Sequence, residues 1–201
     1  VIQPLLYDIP ETLETERLWL KVPSAGWGEH VHEAIMDGYE DYVRWLNWSP
    51  TPPTPEETEI ECRTHHAQFI LREDMRYLII EKKTDLLVGR CGFPAPQALW
   101  AIPQFGISYF IRKNKRGHGY ATEAAHALTL LAFTILKAKK VEIYADAENY
   151  ASRKIPERLN FTLESQKKGG WPRPDGQLAD LLTYALFSEL SLPSQAVKWK
   201  K

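Results

Sequence analysis

Between Arg116 and Phe133 the chain reads RGHGYATEAAHALTLLAF, with two glycines one residue apart. The basic run RKNK precedes them, and a long segment with helical apolar spacing follows. A strand that ends in a basic, glycine-bearing turn and then opens a helix is suited to holding an anion. The first helical N–H groups have no intrahelical acceptor, and the aligned peptide dipoles add partial positive charge at that end. Gly117 and Gly119 let the main chain approach an oxyanion with no Cβ in the way. Arg116 offers a charge-assisted contact. The plainer alternative is a structural turn that merely starts a helix. The sequence has neither the three glycines of a dinucleotide loop nor the GK[ST] ending of a nucleotide P-loop.

The elements that must position this corner can be read on either side of it. QFGISYFI (104–111) alternates as a strand with Phe105, Ile107, Tyr109 and Ile111 on one face. The helix behind the corner turns Ala121, Ala124, Ala125, Leu128, Leu131, Ala132 and Ile135 inward at a 3.6-residue period, and its alanines permit close packing on a sheet. VEIYA (141–145) is again a strand. With a helix between them, the two strands are expected to be parallel neighbours joined by a right-handed crossover. Upstream, RLWLKV (17–22) reads as a strand and AGWGEHVHEAIMDGY as a helical stretch. WLNWSPTPPTPEE reads as a loop because of its prolines, and a Glu-rich helix starts at Thr54 or just after it and reaches about Leu71. RYLIIEK and LLVGRCGF form a hairpin, followed by a loop carrying Pro94, Pro96 and Pro103. A short helix near 152–159, a strand near FTLES and a last strand within LLTYALF complete an α+β domain.

Bulk composition narrows the function classes. The 201 residues are 44% apolar and 25% charged, which suits one soluble domain with a real core. A formal charge of −1 argues against general nucleic-acid or anionic-membrane binding. Cys62 and Cys91 have no CxxC spacing, so free thiols are expected. The longest apolar run, LTLLAFTIL, is short of a membrane span. The opening VIQPLLYDIPETLETE is unlike a signal or transit peptide, and the expected location is the cytoplasm.

R-G-H-G-Y-A-T-E-A-A resembles the acetyl-CoA signature of the GNAT superfamily, Arg/Gln-x-x-Gly-x-Gly/Ala, with Arg116, Gly119 and Ala121 in its defining places. ETERLWLK, RWLNW with its proline-rich loop and PEE, and LLVGRCGF are similar, in that order, to the branch that contains the ribosomal-protein (Rim-type) N-acetyltransferases. NYASRKIPERLNF is similar to that branch's Asn-x-x-Ser helix, and DGQLADLLTYALFSE to its final strand, with Asp180 and Tyr184 at the usual separation.

The resemblance covers roughly residues 12–189, with 1–11 and 190–201 as terminal extensions. It implies a single GNAT-type α+β domain whose mixed central sheet has about six or seven strands, with strands 104–111 and 141–145 as a splayed parallel pair. It implies transfer of an acetyl group from acetyl-CoA, as co-substrate and with no metal, to a primary amine. The pantetheine arm would pair with the strand from Tyr109 to Ile111. The N–H groups of Gly117, His118, Gly119, Tyr120, Ala121 and Thr122 would hold the pyrophosphate, and Asn149 and Ser152 would contact the arm and thiol region.

Ser152 is the expected general acid, with an ordinary helix N-cap as its alternative role. Tyr184 is the second candidate, against a half-buried strand tyrosine. An α-amine has a pKa of about 8, so no strong base is required. The expected acceptor is a protein or peptide N-terminal amine; a small-molecule amine (antibiotic or polyamine) and a CoA-binding module without catalysis are the alternatives. Members of this branch often pair, so a homodimer is among the expectations.

Some positions depart from the pattern. Pro156, four residues past Ser152, removes a helical hydrogen bond and is expected to distort the turn that places Asn149 and Ser152. Asn160 stands in place of a glycine but tolerates the left-handed cap. Gly106 lies where relatives carry an acid. His65 and His66 are expected in solvated or capping roles, and Trp45 and Trp48 either line the acceptor side or anchor a loop. The tail SLPSQAVKWKK reads as disordered or weakly docked.

Overall fold

The computed structural model describes residues 3–46, 48–94 and 98–200. In chain order the elements are β1 (Thr12–Glu14), β2 (Leu18–Lys21), α1 (Gly28–Met36), α2 (Tyr39–Leu46), α3 (Pro55–Leu71), β3 (Met75–Glu81), β4 (Leu86–Phe93), β5 (Ala98–Leu99) and β6 (Gln104–Ile111). Then come α4 (Tyr120–Thr134), β7 (Lys140–Asp146), α5 (Tyr150–Arg158), β8 (Thr162–Pro172), β9 (Leu178–Leu186) and β10 (Lys198–Lys200). The sheet runs β10-β1-β2-β3-β4-β6-β7-β9-β8, with β5 paired to the start of β6. The α+β architecture and the parallel pair agree with expectation. The strand count does not: among the described residues the sheet has 10 strands rather than six or seven. β1, β5 and β10 are only two or three residues long, too short for alternation to announce them, and β10 pairs with β1 at the other end of the chain. Pro96, read as part of a proline loop, lies outside the described residues.

Alternation along β3 sends Leu78 and Ile80 to one face, where Val31, Ala34, Ile35, Tyr42 and Cys62 cover them. Ile79 and Tyr77 face the other side, against the α4 core of Ala124, Leu128 and Leu131. α3 begins as the sequence predicts. Thr54 is its N-cap in a full capping box with Glu57, and Pro55 opens the first turn; losing such a cap costs about 1 kcal/mol. The tail is not loose. Leu192, Val197 and Trp199 pack on the core, His126 Nε2 lies 2.7 Å from the Pro193 carbonyl, and β10 extends the sheet beside β1. This strap covers the outer side of α4, so that helix is buried on more faces than its inward stripe requires. Cys62 and Cys91 are free and buried.

His65 is buried, not solvated. It occupies the inward stripe Thr58, Cys62, His65, Phe69 of α3, facing Arg90, Arg76, Glu61 and Asp74. Desolvation, reinforced by the Arg90 and Arg76 charges, pushes its pKa down from 6.5 to about 4. Above 6.5 both folded and unfolded chains hold a neutral imidazole, whereas below that value the unfolded chain takes a proton that the folded chain refuses until about 4. Stability is therefore expected to fall as pH drops through this window. His65→Leu should flatten that part of the curve. Thermal unfolding at pH 7 and pH 5 reads it, and equal losses in parent and variant would assign the proton to another group.

Candidate active site

β6 and β7 pair in parallel only from Gln104↔Lys140 to Ile107↔Ile143. Beyond that point β6 continues against β4 and β7 against β9, so the two strands part. Arg112 N–H donates to the Val88 carbonyl, which fixes the phase of the antiparallel ladder with β4. That phase turns the peptide edges of Tyr109 and Ile111 away from β4, toward the gap. The Ile111 carbonyl is already taken by Tyr42 Oη (2.8 Å) and Arg116 Nε (3.1 Å), which leaves Tyr109 and the Ile111 N–H as the usable edge.

Two clefts meet at this parting. One, of about 400 Å³, runs from Tyr109 to the corner at Gly117, Gly119 and Thr122 and along α5. The other, of about 450 Å³, lies between Tyr144, Trp171 and Leu181. Leu46, Tyr109 and Ser152 line both.

At the corner, Gly117 (φ 81°) and Gly119 (φ 82°) both adopt the left-handed conformation that glycine enters freely. Gly119 is the N-cap of α4. From Gly117 to Thr122 no main-chain N–H has an acceptor among the described residues; the first N–H bonded in the helix is Glu123, to the Gly119 carbonyl (3.0 Å). A Cβ at Gly117 would meet nothing within 4 Å. These N–H groups form an open cradle of donors at the turn.

Residues that sequence reasoning did not identify hold the cradle in place. Glu81, at the end of β3, accepts from Tyr120 Oη and from Lys115 Nζ (2.9 Å), and its pKa is drawn down to about 2 by hydrogen bonds from Thr84, Tyr120 and Lys115. Arg17 donates to the His118 carbonyl (2.8 Å) and pairs with buried Glu123. Arg116 does not stand free for an anion: Asp41 holds its guanidinium at 2.5 Å, over the ring of Tyr42. His118 folds back on the loop, its ring stacked on Tyr120. The cations free to face the cradle are Lys154 and Arg158, one turn apart on α5, which line the same cleft and form no ion pair among the described residues.

On the opposite wall, Asn149 caps α5, its Oδ1 accepting from the Ser152 N–H at 3.1 Å. The N-cap role weighed for Ser152 thus belongs to Asn149, and the Ser152 hydroxyl is left at the junction of the clefts, 3.2 Å from Tyr109 Oη. Pro156 does not undo this placing. It is buried near the end of a helix that continues to Arg158, and Asn160 takes the left-handed cap (φ 61°). Tyr184 is not brought to the site: it is 3% exposed, lines neither cleft, and donates to Glu157 (2.9 Å). Of the two tryptophans, Trp45 lies on α2 and lines the corner cleft, whereas Trp48 packs on Tyr42 and Phe110 as an anchor. Among the described residues no cluster of His, Cys, Asp or Glu suits a metal ion.

The sequence matches the family described as "Acetyltransferase (GNAT) domain" over residues 17–162. It is 31% identical to the "Uncharacterized N-acetyltransferase p20" of Bacillus licheniformis, over 88% of this chain and 96% of that protein. Among solved structures, the RimL ribosomal L7/L12 alpha-N-protein acetyltransferase in complex with coenzyme A superposes with a TM-score of 0.79 at 20% identity, covering 90% and 98% of the two chains. The microcin C7 self-immunity acetyltransferase MccE, in complex with acetyl-CoA and AMP, has a TM-score of 0.77 at 16% identity over 86% and 93%. The splayed parallel strands, the donor cradle at their open end and this sequence match agree: the chain belongs to the GNAT family of acyl-CoA-dependent acetyltransferases.

Proposed function

We propose that the chain binds acetyl-CoA in the corner cleft and transfers its acetyl group to a primary amine in the second cleft, the amine being the N-terminus of a protein or peptide. The observation that carries this reading is the run of unpartnered N–H groups from Gly117 to Thr122 at the mouth of the strand gap. A diphosphate satisfies these donors, with Lys154 and Arg158 supplying charge. The pantetheine arm follows the free edge at Tyr109 and the Ile111 N–H, which brings the thioester to Ser152. Attack by a neutral amine breaks the C–S bond directly; the developing oxyanion is met by a strand N–H and the departing sulfur by the Ser152 hydroxyl. Alignment of two bound substrates supplies much of the rate.

The acceptor cleft favours a peptide amine. Its walls are Leu46, Ile107, Tyr144, Trp171, Pro172 and Leu181, and no carboxylate lines it among the described residues. A polyamine or aminoglycoside brings several positive charges, whose desolvation against an uncharged wall is costly. A peptide N-terminus brings one amine, neutral when it reacts.

Calorimetry with coenzyme A, followed by a thiol-release assay over an amine panel, tests the proposal. Micromolar coenzyme A binding with turnover on peptide α-amines is expected, above that on polyamines and aminoglycosides. Turnover on polycations alone would move the reading to a small-molecule acceptor. Coenzyme A binding without turnover would make the chain a binding module, and no binding at all would remove the site.

A further inference from the structure

We propose that Tyr109 is a positioning residue, drawn to the cleft junction by a carbonyl that Pro156 leaves without its helical donor, and that it turns the Ser152 proton toward the thioester sulfur. This rests on Ser152 being the acid of the preceding section. Pro156 has no N–H, so the Ser152 carbonyl four residues earlier loses its i+4 partner. The Tyr109 hydroxyl takes that place, 3.4 Å from the carbonyl and 3.2 Å from Ser152 Oγ. Two distances of this length from one hydroxyl fit a proton shared between two acceptors better than a single strong bond.

Ser152, in the first turn of α5, has no helical carbonyl four residues back to take its proton, whereas threonines deeper in their helices do. Thr64, Thr129 and Thr134 each donate to the carbonyl four residues back, at 2.7–2.8 Å. Such back-bonding consumes the proton. Ser152 makes no such bond: its hydroxyl partner is Tyr109. With Tyr109 donating into its lone pair, the serine proton has the cleft as its remaining direction. Burial raises the Tyr109 pKa, so the phenol stays a donor throughout the neutral range. The proton count closes. The amine forms the C–N bond, the C–S electron pair goes to sulfur together with the Ser152 proton, and cleft water takes the surplus amine proton and returns one to Ser152.

The test compares Tyr109→Phe, Pro156→Ala, their combination and Ser152→Ala. kcat and KM are measured at saturating acetyl-CoA, and coenzyme A affinity by calorimetry. Tyr109→Phe is expected to lower kcat about 10- to 30-fold, with KM and coenzyme A affinity within about two-fold. Pro156→Ala restores an N–H for the Ser152 carbonyl and is expected to lower kcat about three- to ten-fold. In the Tyr109→Phe background it should do nothing further, because both changes act on one contact. A structural role alone would move affinity and KM and would add across the pair. If Ser152→Ala is slow while Tyr109→Phe turns over at the parental rate, the positioning role is lost and the acid stands. If Ser152→Ala itself keeps the parental rate, the acid assignment fails and this inference fails with it.

Discussion

Replacing Gly119 by alanine is expected to weaken coenzyme A binding about 30- to 100-fold. Gly119 sits at φ 82°, where an L-residue with a Cβ is strained by roughly 1–2 kcal/mol. Its Cβ would stand 3.4 Å from Arg17 Nη2, an ordinary contact, so the free protein accommodates the methyl group without a clash. The larger cost comes when an anion enters. The methyl group occupies the space through which the oxyanion reaches the N–H groups of the first turn, and each charge-assisted bond lost there is worth about 1.5–3 kcal/mol. Gly119→Asn separates the two effects, since asparagine tolerates the left-handed conformation but still carries a Cβ. If both variants lose affinity together, the loss is steric at the cradle; if only the alanine variant loses it, the backbone is responsible. A Gly119→Ala protein that binds coenzyme A within three-fold of the parent would take the cradle out of the binding site. Calorimetry, with a thermal melt of the free protein alongside, is the measurement.

The legible parts of this protein are those set by neighbours in sequence. Gly117 and Gly119 sit within a few residues of the strand end and the helix start they connect, so their conformation and the orphan N–H groups follow from local rules. Thr54, Pro55 and Glu57 define a helix start in the same way. What could not be read depends on distant partners. The stripe of α3 that faces the core is Thr58, Cys62, His65 and Phe69, two polar residues among four, and so shows no clear apolar face. α2 was hidden because Trp45 and Leu46 run straight into the proline loop. Tyr184 has the type and register of a cleft residue, but alternation cannot tell that α5 brings Glu157 to its hydroxyl. Arg116 belongs to the motif by sequence, yet Asp41, 75 residues earlier, holds its charge. Lys154 and Arg158 line the same cleft as the glycine corner because α5 packs on α4. Anchors contributed by remote elements carry no local signature.

The wall of the acceptor cleft depends on one such remote anchor, and Asp146→Ala is expected to show it. Trp171 and Pro172 end β8, and Arg173 follows in the turn to β9. Arg173 Nε and Nη2 donate to Asp146 at 2.7 and 2.9 Å, and Nη2 reaches Glu148 at 2.7 Å. The Asp146 side chain is fully buried at the end of β7, where Oδ1 also accepts from the Glu148 N–H (2.8 Å). This bidentate pair pins the β8–β9 hairpin beside Trp45, whose ring centroid is 5.8 Å from the guanidinium. β8 itself is largely exposed, so little apolar burial would hold the hairpin if the pair were broken. Removing the carboxylate leaves a half-partnered cation under the hairpin, and the unfolding midpoint should fall by about 5–10 °C. The KM for the amine acceptor should rise, because Gly170, Trp171 and Pro172 are no longer held against the cleft. Coenzyme A affinity should stay within two-fold, since the pair lies away from the glycine corner. Adding Arg173→Met to Asp146→Ala removes the stranded charge and should restore most of the melting temperature, but not the acceptor KM. If that double variant recovers the KM as well, the wall is held by apolar packing and the ion pair is incidental to it.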